Sequence, residues 1–167
     1  MQNKPVHITH YENRYASQVV ACFLNSVQMI SDAFYNQDQC NAWSASAADM
    51  PWWQERLINK QPYLAIQNGV LAGFIELDAN GHIDSLYVHP VYQRQHVATA
   101  LYQYAENTAL AKHMPRLFVE ASYVAKPFFE KQGFVILRKN ENIRGGQMLL
   151  NFFMEKILVC SKPLGLG

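Results

Sequence analysis

Three apolar runs separated by two Asn-Gly dipeptides, Asn68-Gly69 and Asn80-Gly81, constrain this chain more than any other feature. Residues 62–67, 70–79 and 82–89 are rich in Leu, Ile, Val, Phe and Tyr. An Asn-Gly pair between such runs predicts a tight hairpin, because both central positions of a type I′ turn need positive φ. The expected product is an antiparallel meander. Its third run leads through Pro90 into residues 95–112, where Val97, Leu101, Tyr104, Ala105 and Ala109 keep helical spacing. Residues 116–121 then read as a strand again. A helix therefore crosses over between two strands, and part of the sheet is expected to be parallel.

Upstream, the alternation from Val6 to Thr9 predicts a short first strand. Residues 14–34 carry apolar side chains at Val19, Val20, Phe23, Leu24, Val27 and Ile30, the spacing of an amphipathic helix. Residues 35–60 are polar with isolated aromatics and read as a lid or loop, with one short helix after Pro51. Downstream, a short helix over 125–132 stops before Gly133 and is followed by strands over 134–139 and 146–158. The order predicts a single mixed α/β domain over residues 1–160, with a mostly antiparallel central sheet and one β-α-β crossover. A disordered tail is expected over 161–167.

At 167 residues the chain suits one domain with an ordinary core. Half the residues are apolar and the formal net charge is +1, which argues against disorder and against an electrostatic grip on nucleic acid. The amino terminus has no apolar signal-like region, and no uncharged apolar run approaches the roughly 18 residues of a spanning helix. No membrane partner is expected. Cys22, Cys40 and Cys160 are widely spaced with no CxxC pair, so neither a disulfide framework nor a metal site is expected. Free thiols suit a reducing, cytoplasmic setting.

The junction after the third run is where chemistry is expected. A helix that starts near Gln95 presents unpaired amides and the positive end of its dipole, an anion site suited to a diphosphate. Arg94 adds a cation beside it. Phosphate-binding turns usually contain glycine, yet none lies between Ser85 and Lys112.

The run "LYVHPVYQRQHVATAL" resembles the acetyl-coenzyme A motif of the GCN5-related N-acetyltransferases, Gln/Arg-x-x-Gly-x-Gly/Ala after a strand. Gln93, Val97 and Ala98 fit, and His96 stands where the central glycine is usual. Downstream, "EASYVAKPFFEKQGF" is similar to the family's second marker, with Ala125, Phe128, Gly133 and Phe134 in place. The element order follows that fold over nearly the whole chain, and the final strand is similar to a bacterial branch of uncharacterised members. The resemblance implies acetyl-coenzyme A as co-substrate and a primary amine as acceptor, either a small molecule or a protein or peptide amine, with a monomer or homodimer as the assembly. It implies cofactor contacts from Leu86, Tyr87 and Val88 on the strand and from Gln93, Arg94, Gln95, His96, Val97, Ala98 and Thr99 at the turn. Ser122, Phe128 and Phe129 complete that set. A histidine is expected to serve at 96 only if the position is helical.

Acetyl transfer needs a deprotonated amine, a polarised carbonyl and a proton for the leaving thiolate. Strand alternation puts His82 and Asp84 on one face. His82 is the candidate base, since a free imidazole titrates near pH 6.5, with Asp84 orienting it or holding the substrate ammonium. The resemblance implies a backbone amide between Leu86 and Val88 for the carbonyl, where the strand leaves its neighbour. The family's usual proton donor is a Tyr at the place of Phe129, which has no proton to give. Tyr123 is the alternative, with Tyr35 a further candidate. Tyr35 and Trp43, with Trp52 and Trp53, are expected to enclose the amine, and Arg144 and Asn151 to line the same cleft. The rival reading is a relative that binds coenzyme A without catalysis and serves as a sensor or partner-binding module.

Overall fold

The computed structural model describes residues 4–159. Cys160 and the expected tail over 161–167 lie outside the described residues. One sheet of seven strands runs in the order β1-β2-β3-β4-β5-β7-β6. The strands are β1 (His7–His10), β2 (Tyr63–Gln67), β3 (Val70–Leu77), β4 (His82–Val88), β5 (Arg116–Ala121), β6 (Val135–Arg144) and β7 (Gln147–Ile157). The helices are α1 (Ala16–Gln28), α2 (Gln37–Ser44), α3 (Met50–Lys60), α4 (Val97–Ala111) and α5 (Lys126–Lys131). The mixed α/β class, the meander and the crossover are as the sequence predicts.

The two hairpin turns differ. Asn68 and Gly69 both have positive φ, at 54° and 73°, as a type I′ turn requires. At the second turn only Gly81 is left-handed, at 90°, and its amide donates to Asp78 O at 3.0 Å, closing a longer loop. A Cβ on Gly81 would lie 2.0 Å from Arg116 O, at the point where Gly81 O accepts from the Phe118 amide. Gly81→Ala is therefore expected to cost about 3–5 kcal/mol, read as a drop in urea midpoint.

Strand β4 pairs with β5 in parallel only at His82↔Phe118 and Ile83↔Val119. Beyond Ile83 the two strands diverge and a cleft opens between them. On one side of the sheet α4 and α5 bury Leu101, Tyr102, Phe129 and Met154; on the other α1–α3 bury Val19, Phe23, Val27, Trp53 and Leu57. Strand β3 is covered on both faces, which explains its unbroken apolar run.

Residues 35–60 correct the lid expectation. Asn36 and Gln39 form a capping box that starts α2, and Asp49 accepts from the Trp52 amide at 3.0 Å to start α3. Tyr35, Cys40, Trp53 and Leu57 are all buried, so one face of this segment belongs to the core. Helix α1 also ends sooner than expected, and Leu24 is 38% exposed.

Candidate active site

Two clefts meet at the divergence of β4 and β5. The first, about 430 Å³, lies between β4 and β5 and reaches Gln93 and Arg94 at the turn before α4. The second, about 830 Å³, lies over α3 and the β6–β7 hairpin. Trp43, Asp84, Ser85, Tyr87, Glu120 and Ser122 line both. A reaction between a ligand in each cleft would occur beside these six.

The turn before α4 solves the missing glycine in an unexpected way. The helix starts at Val97, not Gln95, and His96 caps it at φ 62°, ψ 19°, the left-handed conformation that glycine favours. Arg94 is also left-handed, at φ 59°. The expectation that His96 is helical is thus corrected: the histidine adopts the glycine geometry, which His tolerates better than most residues. No side chain caps this end of α4, so the amides of Val97, Ala98 and Thr99 stay free for an anion. Gln95 does not line the first cleft, and its side-chain amide donates to Val91 O at 3.1 Å.

His82 and Asp84 take separate partners. His82 Nε2 is 2.6 Å from Glu120 Oε2, its Nδ1 is 3.5 Å from Asp78, and its ring stacks on Phe118 at 4.8 Å. Glu120 comes from β5, belongs to neither sequence motif's cofactor set, and lines both clefts. Asp84 instead accepts from Arg56 Nη2 and lies 2.8 Å from both that nitrogen and Lys60 Nζ. Burial acts to raise its carboxyl, but the hydrogen bonds and charges of Lys60 and Arg56 outweigh burial and hold it below the usual range. Asp84 does not orient His82, which corrects that expectation. Asp78, His82 and Asp84 bring three ligand atoms within 4.8 Å of one another, the spacing of a cation site. The Lys60 ammonium already sits 2.8 Å from both carboxylates.

Arg56 also clamps Glu76, donating through Nε at 3.2 Å and Nη2 at 2.5 Å. Glu76 is fully buried, and burial raises its carboxyl despite the guanidinium. Ser85 Oγ donates to the same carboxylate at 3.1 Å. This network ties α3 to β3 and β4 and floors the second cleft.

The two tyrosines expected as proton donors differ in position. Tyr123 lines neither cleft; its ring packs on Tyr35 and Phe152. Tyr35 lines the second cleft, but its hydroxyl donates to Leu150 O at 2.7 Å and accepts from the Tyr123 amide. Phe129 is buried among Tyr102, Phe128 and Phe134, and also borders the first cleft. Phe128 packs in that core and does not line the cleft. Trp43 donates its indole N–H to the Tyr87 hydroxyl at 3.2 Å. Arg144 and Asn151 line the second cleft as expected, Asn151 accepting from Asn140.

A parallel pair of strands parts beside an uncapped helix start, and a second cleft lies across the divergence, so the molecule has room for an anionic ligand and for a second molecule next to it. The GNAT acetyltransferase domain matches residues 31–156, and the chain belongs to the GNAT family of N-acetyltransferases. It is 34% identical over 150 residues to the uncharacterised N-acetyltransferase YafP of Escherichia coli strain K12, covering 90% of this chain and 95% of that one. A GCN5-related N-acetyltransferase of Rhodopseudomonas palustris superposes with a TM-score of 0.89 at 33% identity, over 95% of this chain and 99% of the other. The PaiA N-acetyltransferase of Thermoplasma acidophilum, solved with coenzyme A, shares the fold at a TM-score of 0.71 and 19% identity, over 92% of this chain and 99% of the other. The enzyme is thus an acetyltransferase.

Proposed function

We propose that this enzyme transfers acetyl from acetyl-coenzyme A directly to a primary amine held in the second cleft, within a ternary complex. The observation that carries this reading is the His82–Glu120 pair where the two clefts meet. The diphosphate would lie on the amides of Val97, Ala98 and Thr99, beside Arg94, and the thioester between β4 and β5. There the part of β4 that β5 leaves unpaired, Leu86 to Val88, offers a backbone amide to the carbonyl oxygen.

Glu120, held by His82, takes a proton from the incoming ammonium. The amine nitrogen then attacks the thioester carbon, the carbon–sulfur bond breaks, and the amide nitrogen's remaining extra proton passes to the same pair. The thiolate, whose conjugate acid titrates at about 8.5–9, collects its proton from water. A covalent acetyl-enzyme has no suitable nucleophile among the described cysteines. Burial pushes the Cys22 thiol up to about 12 and also raises Cys40. Both are free, which suits a cytoplasmic enzyme.

Calorimetric titration with acetyl-coenzyme A, followed by thiol release across an amine panel, tests the proposal. Binding with amine-dependent thiol release is the expected result. Binding without release from any amine would give the non-catalytic sensor reading instead. In the same titration His96→Gly is expected to leave affinity within about threefold, because a helix-start amide serves whatever the side chain. It is also expected to raise stability by up to about 1 kcal/mol by removing left-handed strain. A tenfold loss of affinity would show that the imidazole itself grips the diphosphate.

A further inference from the structure

We infer that the acceptor is an α-amino acid, recognised through its carboxylate by Arg144 and the Tyr87 hydroxyl. The inference rests on the acyl-transfer reading above and adds the class of amine. Two arginines line the second cleft. Arg56 is consumed by Glu76 and Asp84. The guanidinium of Arg144, exposed at the end of β6, has no carboxylate within 4.0 Å and no side-chain hydrogen bond among the described residues.

Tyr87 supplies the second contact. Its hydroxyl accepts from Trp43 and donates to no acceptor among the described residues, so its proton is available. Burial pushes that hydroxyl up to about 12, so it stays protonated at neutral pH, and the Arg144 charge acts on it in the opposite sense. Tyr87 and Arg144 both line the second cleft. A guanidinium and a phenol lining one partly apolar cleft offer a carboxylate two donors.

The charges around them limit the anion. Glu120 lines the cleft at the junction, and Glu141, exposed and without a cationic partner among the described residues, lines it on β6. A dianion such as a phosphate monoester would meet both. A single carboxylate pairs with Arg144 while the neighbouring ammonium faces Glu120. Trp43, Trp52 and Leu149 leave apolar wall for a side chain.

The test compares the proteinogenic α-amino acids with their carboxamides, by calorimetric binding to the coenzyme A complex and by thiol release with acetyl-coenzyme A. The preferred amino acid is expected to bind at least about tenfold more tightly than its amide, the effect of one charge-assisted contact. Arg144→Gln and Tyr87→Phe are each expected to shrink that ratio toward one. Equal or better binding of the amides, no amino acid binding, or an unchanged ratio in Arg144→Gln would overturn the inference. Amines turning over without carboxylate preference would leave the acyl-transfer reading standing alone. Carboxylate-dependent binding without thiol release would do the reverse.

Discussion

Glu120→Gln is expected to lower kcat by about 10²–10³ while leaving the KM for acetyl-coenzyme A within about threefold. The substitution keeps the size of a side chain that is 40% exposed, so folding is not at stake. It removes the charge that holds His82 at 2.6 Å and receives the amine proton. His82→Ala is expected to fall as far, and the double variant no further than either single one, because the two act as a unit. Additive losses would mean separate roles, and a Glu120→Gln enzyme keeping half its turnover would remove this base. The pair was only partly legible. His82 stood out as an imidazole on a strand face, but its partner lies 38 residues away and meets it through the parallel register His82↔Phe118. The alternation of residues 116–121 puts Glu120 on the same face as Phe118, which is the signal that could have found it once that register was known.

The second large effect concerns stability. Arg56→Met leaves the fully buried Glu76 without its cation, while Asp84 keeps Lys60, and is expected to cost about 3–5 kcal/mol, read by urea denaturation. Adding Glu76→Met is expected to restore most of the loss, since an apolar pair of similar volume avoids burying any charge. The pH dependence has a definite sign. The folded Glu76 carboxyl is raised by burial, so folding favours proton uptake there; its contribution is present at low pH and lost as pH rises through the folded pKa. The Arg56→Met penalty should therefore shrink on acidification. Asp84, lowered in the folded enzyme, works oppositely: its contribution is present above the unfolded carboxyl pKa and is lost as pH falls through the folded one. Arg56 lowers both carboxyls in the folded enzyme, so its loss is felt less at acid pH through either one, and a penalty that grew toward acid pH would contradict this account of the network. A carboxylate in the middle of the apolar run of β3 is visible in the sequence and requires a buried partner. That the partner is Arg56 depends on how α3 packs.

That packing is where sequence periodicity failed. The meander, the turn before α4 and the crossover helix are local, set by Asn-Gly pairs, Pro90 and the spacing of Val97, Leu101 and Ala105. Residues 35–60 bury Tyr35, Trp53 and Leu57 through contacts with α1 and β7, and their isolated aromatics carry no repeat that marks a core helix. The left-handed His96 is likewise invisible without coordinates. Only the resemblance to a glycine position hinted at it.

The most direct test of acetyl transfer within a ternary complex is the initial velocity measured while acetyl-coenzyme A and an accepted amine are both varied. Double-reciprocal lines that intersect are the predicted result, since both substrates must occupy the two clefts together. Parallel lines accompanied by an acetylated protein would contradict it, and would mean that a side chain of the enzyme carries the acetyl group before the amine arrives.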